Sequence, residues 1–245
     1  MALRDRIKPK QYFDEQVRYN AKTLDEFRAI IAARDTEPVH REQLRYALFR
    51  RELEQLILRY SGGEPITILR SEFAKAIHSL EEYPQQAGTA ANDFGSFNAY
   101  VYALWIISLG VLLDVDDEEL RRAVKDLDNE GRDALFDRLV ALRFPGRAPT
   151  TTLMYPKPYE PLLRALDATG DARTTLILRF LAFYYDGMRD AYWYDTHLSD
   201  DSCYFGYWCF ELAAFVKVLG IDDVAFADSM FYPRDLVRPP AGGRS

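Results

Sequence analysis

Apolar side chains recur over residues 10–34 at Phe13, Val17, Leu24, Phe27, Ile30 and Ile31. That spacing is close to the i, i+3, i+4, i+7 stripe of an amphipathic helix. After Thr36-Glu37-Pro38, residues 39–60 repeat the pattern with Leu44, Leu48, Leu53, Leu56 and Ile57, and Ser61-Gly62-Gly63 supplies a glycine stop. A third helix is predicted from Pro65, a good first-turn residue, to Tyr83. Residues 88–96 read as a loop. The helix predicted over 97–113 is apolar nearly all round, which places it inside a core.

Two shorter helices are predicted over 116–127 and 132–144. The next stretch, Phe144-Pro145-Gly146-Arg147-Ala148-Pro149 followed by Pro156, Pro158 and Pro161, is the most punctuated of the chain. It sets an expected boundary between an N-terminal helical domain (1–145) and a C-terminal one (150–236), with 237–245 a disordered tail. Helices are predicted over 159–168, 173–194 and 203–219, with a short helical turn near Val224. No run alternates with the period of two that a sheet requires. The expected fold class is therefore all-α, a multi-helix bundle of two packed helical parts with about nine to ten helices. Leu112-Leu113-Asp114-Val115-Asp116-Asp117 is echoed by Val218-Leu219-Gly220-Ile221-Asp222-Asp223, and each places an Asp where it could cap a following helix.

Composition narrows the function classes. With 245 residues and 48% hydrophobic content the chain can bury a sizeable core. Its 38 acidic against 31 basic residues give a net charge of −7, the wrong sign for direct nucleic-acid binding and the right one for a basic protein partner. The longest apolar run, 100–113, is too short to span a membrane, and the first residues lack a secretory apolar segment, so a cytoplasmic protein is expected. Cys203 and Cys209, six apart on one predicted helix, would point about 240° apart and stay reduced.

Candidate chemistry is sparse. The three histidines, His40, His78 and His197, stand in no metal-binding spacing, and neither a G-x-S-x-G elbow nor a phosphate loop occurs. The most enzyme-like set is Asp186, Asp190, Asp195, His197 and Glu211, because Asp186 and Asp190 would lie one turn apart on a helix face and could share a divalent cation. Carboxylates so spaced are far more often merely solvated, and no enzyme activity, cofactor or metal is expected. Residues 180–210 are dense in aromatic rings, among them Phe183, Tyr184, Tyr192, Trp193, Tyr207 and Trp208, most simply as a core with polar tips at its edge. Interleaved with Asp186, Asp190, Asp195, Asp200 and Asp201, they also describe a protein-binding face on which carboxylates steer a basic partner. A second acidic group, Asp114, Asp116, Asp117, Glu118 and Glu119, fits the same role, although helix N-termini collect acids for dipole reasons alone.

A succession of blocks carries a more specific signal. Met188-Arg189-Asp190-Ala191-Tyr192-Trp193-Tyr194-Asp195-Thr196-His197, then Tyr204-Phe205-Gly206-Tyr207-Trp208-Cys209-Phe210-Glu211, Leu219-Gly220-Ile221-Asp222-Asp223 and Phe231-Tyr232-Pro233-Arg234-Asp235-Leu236, resemble the C-terminal domain of the PoNi immunity proteins. Gln11-Tyr12-Phe13-Asp14-Glu15, Tyr60-Ser61-Gly62-Gly63-Glu64-Pro65 and Tyr155-Pro156-Lys157-Pro158-Tyr159 resemble the matching N-terminal domain and the junction. The chain departs from the family pattern at Ser229-Met230-Phe231-Tyr232-Pro233-Arg234, where a His-Pro-Tyr-Tyr-Pro-Tyr-like stretch is expected.

The resemblance implies a bacterial cytoplasmic antitoxin that binds, without turnover, a cognate nuclease toxin of the restriction-endonuclease-like kind, typically delivered by a type VI secretion system. The expected contacts are Asp186, Asp190, Asp195, Asp200 and Asp201 first, and Asp114, Asp116, Asp117, Glu118 and Glu119 second, with no direct nucleic acid and no membrane as partner. The alternatives are a helical scaffold or adaptor and a metal-dependent helical hydrolase.

Overall fold

In a computed structural model describing residues 2–83, 93–127, 129–199 and 203–238, the chain is all-α, with ten helices, nine of them at least seven residues long. There is no strand among the described residues. The helices group into two units, each gathered from separate stretches of chain: 1–93, 116–127 and 195–206 in the first, and 94–115, 128–194 and 207–245 in the second.

The first unit contains α1 (Lys10–Ala32), α2 (Pro38–Ser61), α3 (Ile66–Glu82) and α5 (Asp117–Asp126), with a 3₁₀ turn at Thr196–Leu198. α2 packs between α1 and α3, and α5 lies on α3. The buried face of α1 is Phe13, Gln16, Asn20 and Leu24, a helical stripe in which two of the four positions are polar. α2 is buried over most of its second half. Gly63 has φ +93°, and a Cβ there would stand 2.3 Å from the Ala2 carbonyl oxygen, so the close approach of the N-terminal segment requires glycine.

That N-terminal segment ties the unit together. Arg4 donates to the carbonyls of Tyr60 and Glu64, both at 2.9 Å, with its guanidinium over the Tyr60 ring. Asp5 accepts from the amides of Ile7 and Lys8 and from the Tyr204 hydroxyl. The Tyr12 hydroxyl donates to the Tyr204 carbonyl at 2.8 Å and accepts from its amide at 3.0 Å, and Ser61 donates to the Phe205 carbonyl at 2.7 Å. The segment 203–205 is thereby clamped against α1 and α2 by side chains that satisfy backbone groups no helix or strand could pair. Glu52, buried inside the unit, is held by Arg28 and by the Ser79 hydroxyl.

The second unit contains α4 (Phe97–Leu112), α6 (Ala134–Ala141), α7 (Pro156–Asp167), α8 (Gly170–Gly187), α9 (Phe210–Leu219) and α10 (Arg234–Val237). The nearly all-apolar α4 lies against α9 and α6, and α7 pairs with α8. Asp133 organises one end of this core. It caps α6 by accepting from the Leu135 and Phe136 amides, and it also accepts from the Met154 amide and the Tyr100 hydroxyl. Asp137 is held by Arg147 at 2.7 Å and by the Gly131 amide.

Candidate functional site

The aromatic segment is mainly core. Tyr184, Trp193, Tyr207 and Trp208 are buried in the second unit, with Trp193 stacked on Trp105 at 5.7 Å and 5.3 Å from Tyr207. The Tyr184 hydroxyl donates to the Trp208 carbonyl at 2.9 Å, as buried phenols usually do to a nearby acceptor. Phe183, 62% exposed on α8, and Tyr192 are the most exposed large rings of this segment in that unit.

The helix expected over 173–194 ends at Gly187, and Asp190 sits in the turns that follow. Asp186 and Asp190 are therefore not one helical turn apart, because backbone bonds from Met188 to Tyr185 and from Ala191 to Met188 close successive turns there. Both carboxylates are exposed, and Asp186 pairs with Arg189 at 2.9 Å, a contact solvent makes weak. Asp195 lies in the first unit, exposed, with a left-handed backbone (φ +60°) that opens the 3₁₀ turn. Asp200 and Asp201 fall outside the described residues.

The second acidic group divides between the units. Asp114, in the second, has φ +52° and pairs with Lys217 at 2.7 Å, the same ammonium that donates to the Leu112 carbonyl. Asp116 caps α5 in the first unit by accepting from the Glu119 amide at 2.8 Å, and Asp117, Glu118 and Glu119 fill that helix's first turn. Burial raises the Glu119 carboxyl above the usual range, and Asp116 adds to the rise. In the echoed stretch Asp222 caps only a turn, since no α-helix follows until Arg234.

Cys203 and Cys209 are free thiols, but they do not share a helix: residues 203–209 have no regular secondary structure, and α9 starts at Phe210. His197 packs its ring 6.2 Å from Tyr204 in the first unit. Among the described residues no three His, Cys, Asp or Glu side chains stand close enough to hold a metal ion.

Glu211 is the most unusual ionisable group. It is 0% exposed on α9, and neither of its oxygens has a hydrogen-bond partner. Burial pushes its carboxyl up to about 7; its own amide and the nearby Tyr159 phenol pull the other way, though neither makes a well-formed hydrogen bond with it. Burial and the Glu211 charge together hold the Tyr159, Tyr184 and Cys209 protons far more tightly than usual. The Cys209 thiol is accordingly inert. Its burial makes this acid a term in the stability of the unit.

Residues without a sequence motif come together on the first unit. Gln16, Tyr19 and Asn20 of α1, Arg51 and Glu54 of α2, and the segment 203–205 line a narrow cleft. A readable signal was present for part of it, since Gln16 and Asn20 occupy positions of the α1 stripe where apolar residues would be expected.

These features define an all-helical protein whose acids lie mainly in surface clusters and helix caps. The family follows from the comparisons. The model for the N-terminal domain of the PoNe immunity proteins (PoNi) matches residues 4–125, and that for their C-terminal domain matches residues 131–236. The chain belongs to the PoNi immunity protein family, as the block succession implied. The crystal structure of protein PA2201 from Pseudomonas aeruginosa has a similar fold, with a TM-score of 0.73 at 20% identity over 96% of this chain and 89% of that one. No curated protein matches the chain.

Proposed function

We propose that this protein is the antitoxin of a PoNe-type nuclease, a DNase delivered by a type VI secretion system, which it binds stoichiometrically in the cytoplasm of the producing cell. The match of both PoNi domain models, spanning residues 4–236 with a short gap, carries this reading. No turnover is needed: an immunity protein acts by occupying the toxin's active site or by blocking its assembly.

The net charge of −7 suits attraction to a DNA-binding surface, whose Lys and Arg side chains are placed to meet phosphates. The exposed carboxylates Asp186, Asp190 and Asp195, together with Asp200 and Asp201, are the steering groups in this reading, and Asp114 with Asp116, Asp117, Glu118 and Glu119 is the second set. Phe183 and Tyr192 supply exposed aromatic area in the same unit as Asp186 and Asp190. Co-purification with the toxin and loss of its DNA cleavage at equimolar ratio test the proposal; a toxin left active and unbound would overturn it.

A further inference from the structure

α8 leaves one side to solvent. It buries Ile177, Phe180, Leu181 and Tyr184 and packs chiefly on α7. Its other side carries Thr175, Arg179, Ala182 and Asp186, spaced i, i+4, i+7 and i+11 along one helical stripe and all exposed. Leu178, 43% exposed, and Phe183 stand on the two flanks of that stripe. Arg179 makes no ion pair or hydrogen bond among the described residues. Asp186 uses Oδ1 on Arg189, which leaves Oδ2 without a partner among the described residues.

The stripe is complementary to itself. At 1.5 Å per residue, Arg179 and Asp186 lie about 5 Å to either side of the midpoint between Ala182 and Phe183. Two copies of α8 laid antiparallel about a two-fold axis at that midpoint set Arg179 of each copy opposite Asp186 of the other, so one contact is made twice. The same axis brings Ala182 against Ala182, small enough for the helices to approach closely, and Phe183 beside Phe183 on one flank. A parallel pair would instead set like charges together, so the charges fix the direction as well as the register.

We propose that the free chain forms a symmetric dimer through α8, with Ala182 and Phe183 at its axis and two Arg179 to Asp186 pairs between the copies. The occupant is a second copy because a partner surface of one sign would meet either Arg179 or Asp186 with a like charge. One helix face covers less than the roughly 800 Å² per partner of a standard interface, so the dimer is weak and concentration-dependent. The proposal concerns the chain without its partner and goes beyond the antitoxin reading; Asp186 is shared with that reading, so the two associations alternate.

Sedimentation equilibrium of the intact chain, from low micromolar to millimolar concentration, tests it. The native chain should pass from monomer to dimer over that range. Arg179→Asp and Asp186→Arg each set like charges face to face and should each weaken the dimer at least about ten-fold, with circular dichroism unchanged because both positions are exposed. The two substitutions together restore opposite charges in the reverse sense and should return the dissociation constant to near its native value. Phe183→Ala should weaken the dimer without altering the fold. A native chain that stays monomeric throughout, a dimer that both single substitutions leave intact, or a double variant as weak as the singles overturns the proposal. None of these results bears on the antitoxin reading, which the nuclease assay tests separately.

Discussion

Replacing Glu211 by Gln should change the pH dependence of stability in a defined direction. The folded carboxyl is pushed up to about 7 by burial, whereas an unfolded glutamate titrates near 4.5. Between those values the folded chain binds more protons than the unfolded one, so stability falls as pH rises, and the full penalty is present above the folded pKa. At about 1.4 kcal/mol per pKa unit, the difference of roughly 2.5 units corresponds to about 3 kcal/mol, of which about 2.5 kcal/mol falls between about pH 5 and about pH 8.5. Gln keeps the shape and cannot ionise. Urea unfolding of both chains at these two pH values isolates the term, because other titrating groups cancel in the difference. The variant should gain about 2.5 kcal/mol on the native chain on going from the lower pH to the higher. A difference that stays constant with pH, or moves the other way, would refute the claim that this carboxyl is sealed from water.

Other perturbations follow from the same packing. Asp133→Ala strands two helix-cap amides, the Met154 amide and the Tyr100 hydroxyl, and should cost about 3 kcal/mol or more in denaturant unfolding; a loss under about 1 kcal/mol would show that water replaces the carboxylate. Gly63→Ala combines a positive φ with a Cβ driven into the Ala2 carbonyl, and a loss above about 2 kcal/mol is expected in thermal melts, with an unchanged midpoint counting against the close approach. Asp186→Lys combined with Asp190→Lys should slow association with the nuclease about ten-fold and reduce its salt sensitivity, with little change in dissociation, as read by stopped-flow mixing. An unaltered association rate would remove these carboxylates from the interface.

The hydrophobic pattern located most helices, α1 by its one-sided stripe and α4 by its near-continuous apolar run. α1, expected over 10–34, is Lys10–Ala32, and α4, expected over 97–113, is Phe97–Leu112. The error lies in 188–194 and 203–209, expected as the end of one helix and the start of the next. Residues 204–209 are buried without exception, so no solvent-facing period remains to separate an irregular chain from a helix. The backbone there is decided instead by single long-range bonds such as Tyr12 to Tyr204 and the Cys209 amide to the Phe231 carbonyl. The interleaving of the two units is likewise a product of distant contacts and leaves no trace in local periodicity.

The surface acids were legible as residues and not as an arrangement. Asp116 announced its cap through its place before a helical run, whereas the separation of Asp186 from Asp190 depended on where α8 stops. Asn20 and Glu211 carry their meaning only in their surroundings: one is fixed by Arg51 and Gln55, the other enclosed by Tyr159 and Tyr184. Their roles depend on partners 31 or more residues away or on another helix, beyond the reach of a pattern read along one stretch of chain.

The most direct test of the account is co-expression of this chain with the nuclease encoded beside it, followed by affinity capture and a DNA-degradation assay at equimolar ratio. The account predicts a stable complex with cleavage abolished; free nuclease with undiminished cleavage would contradict it.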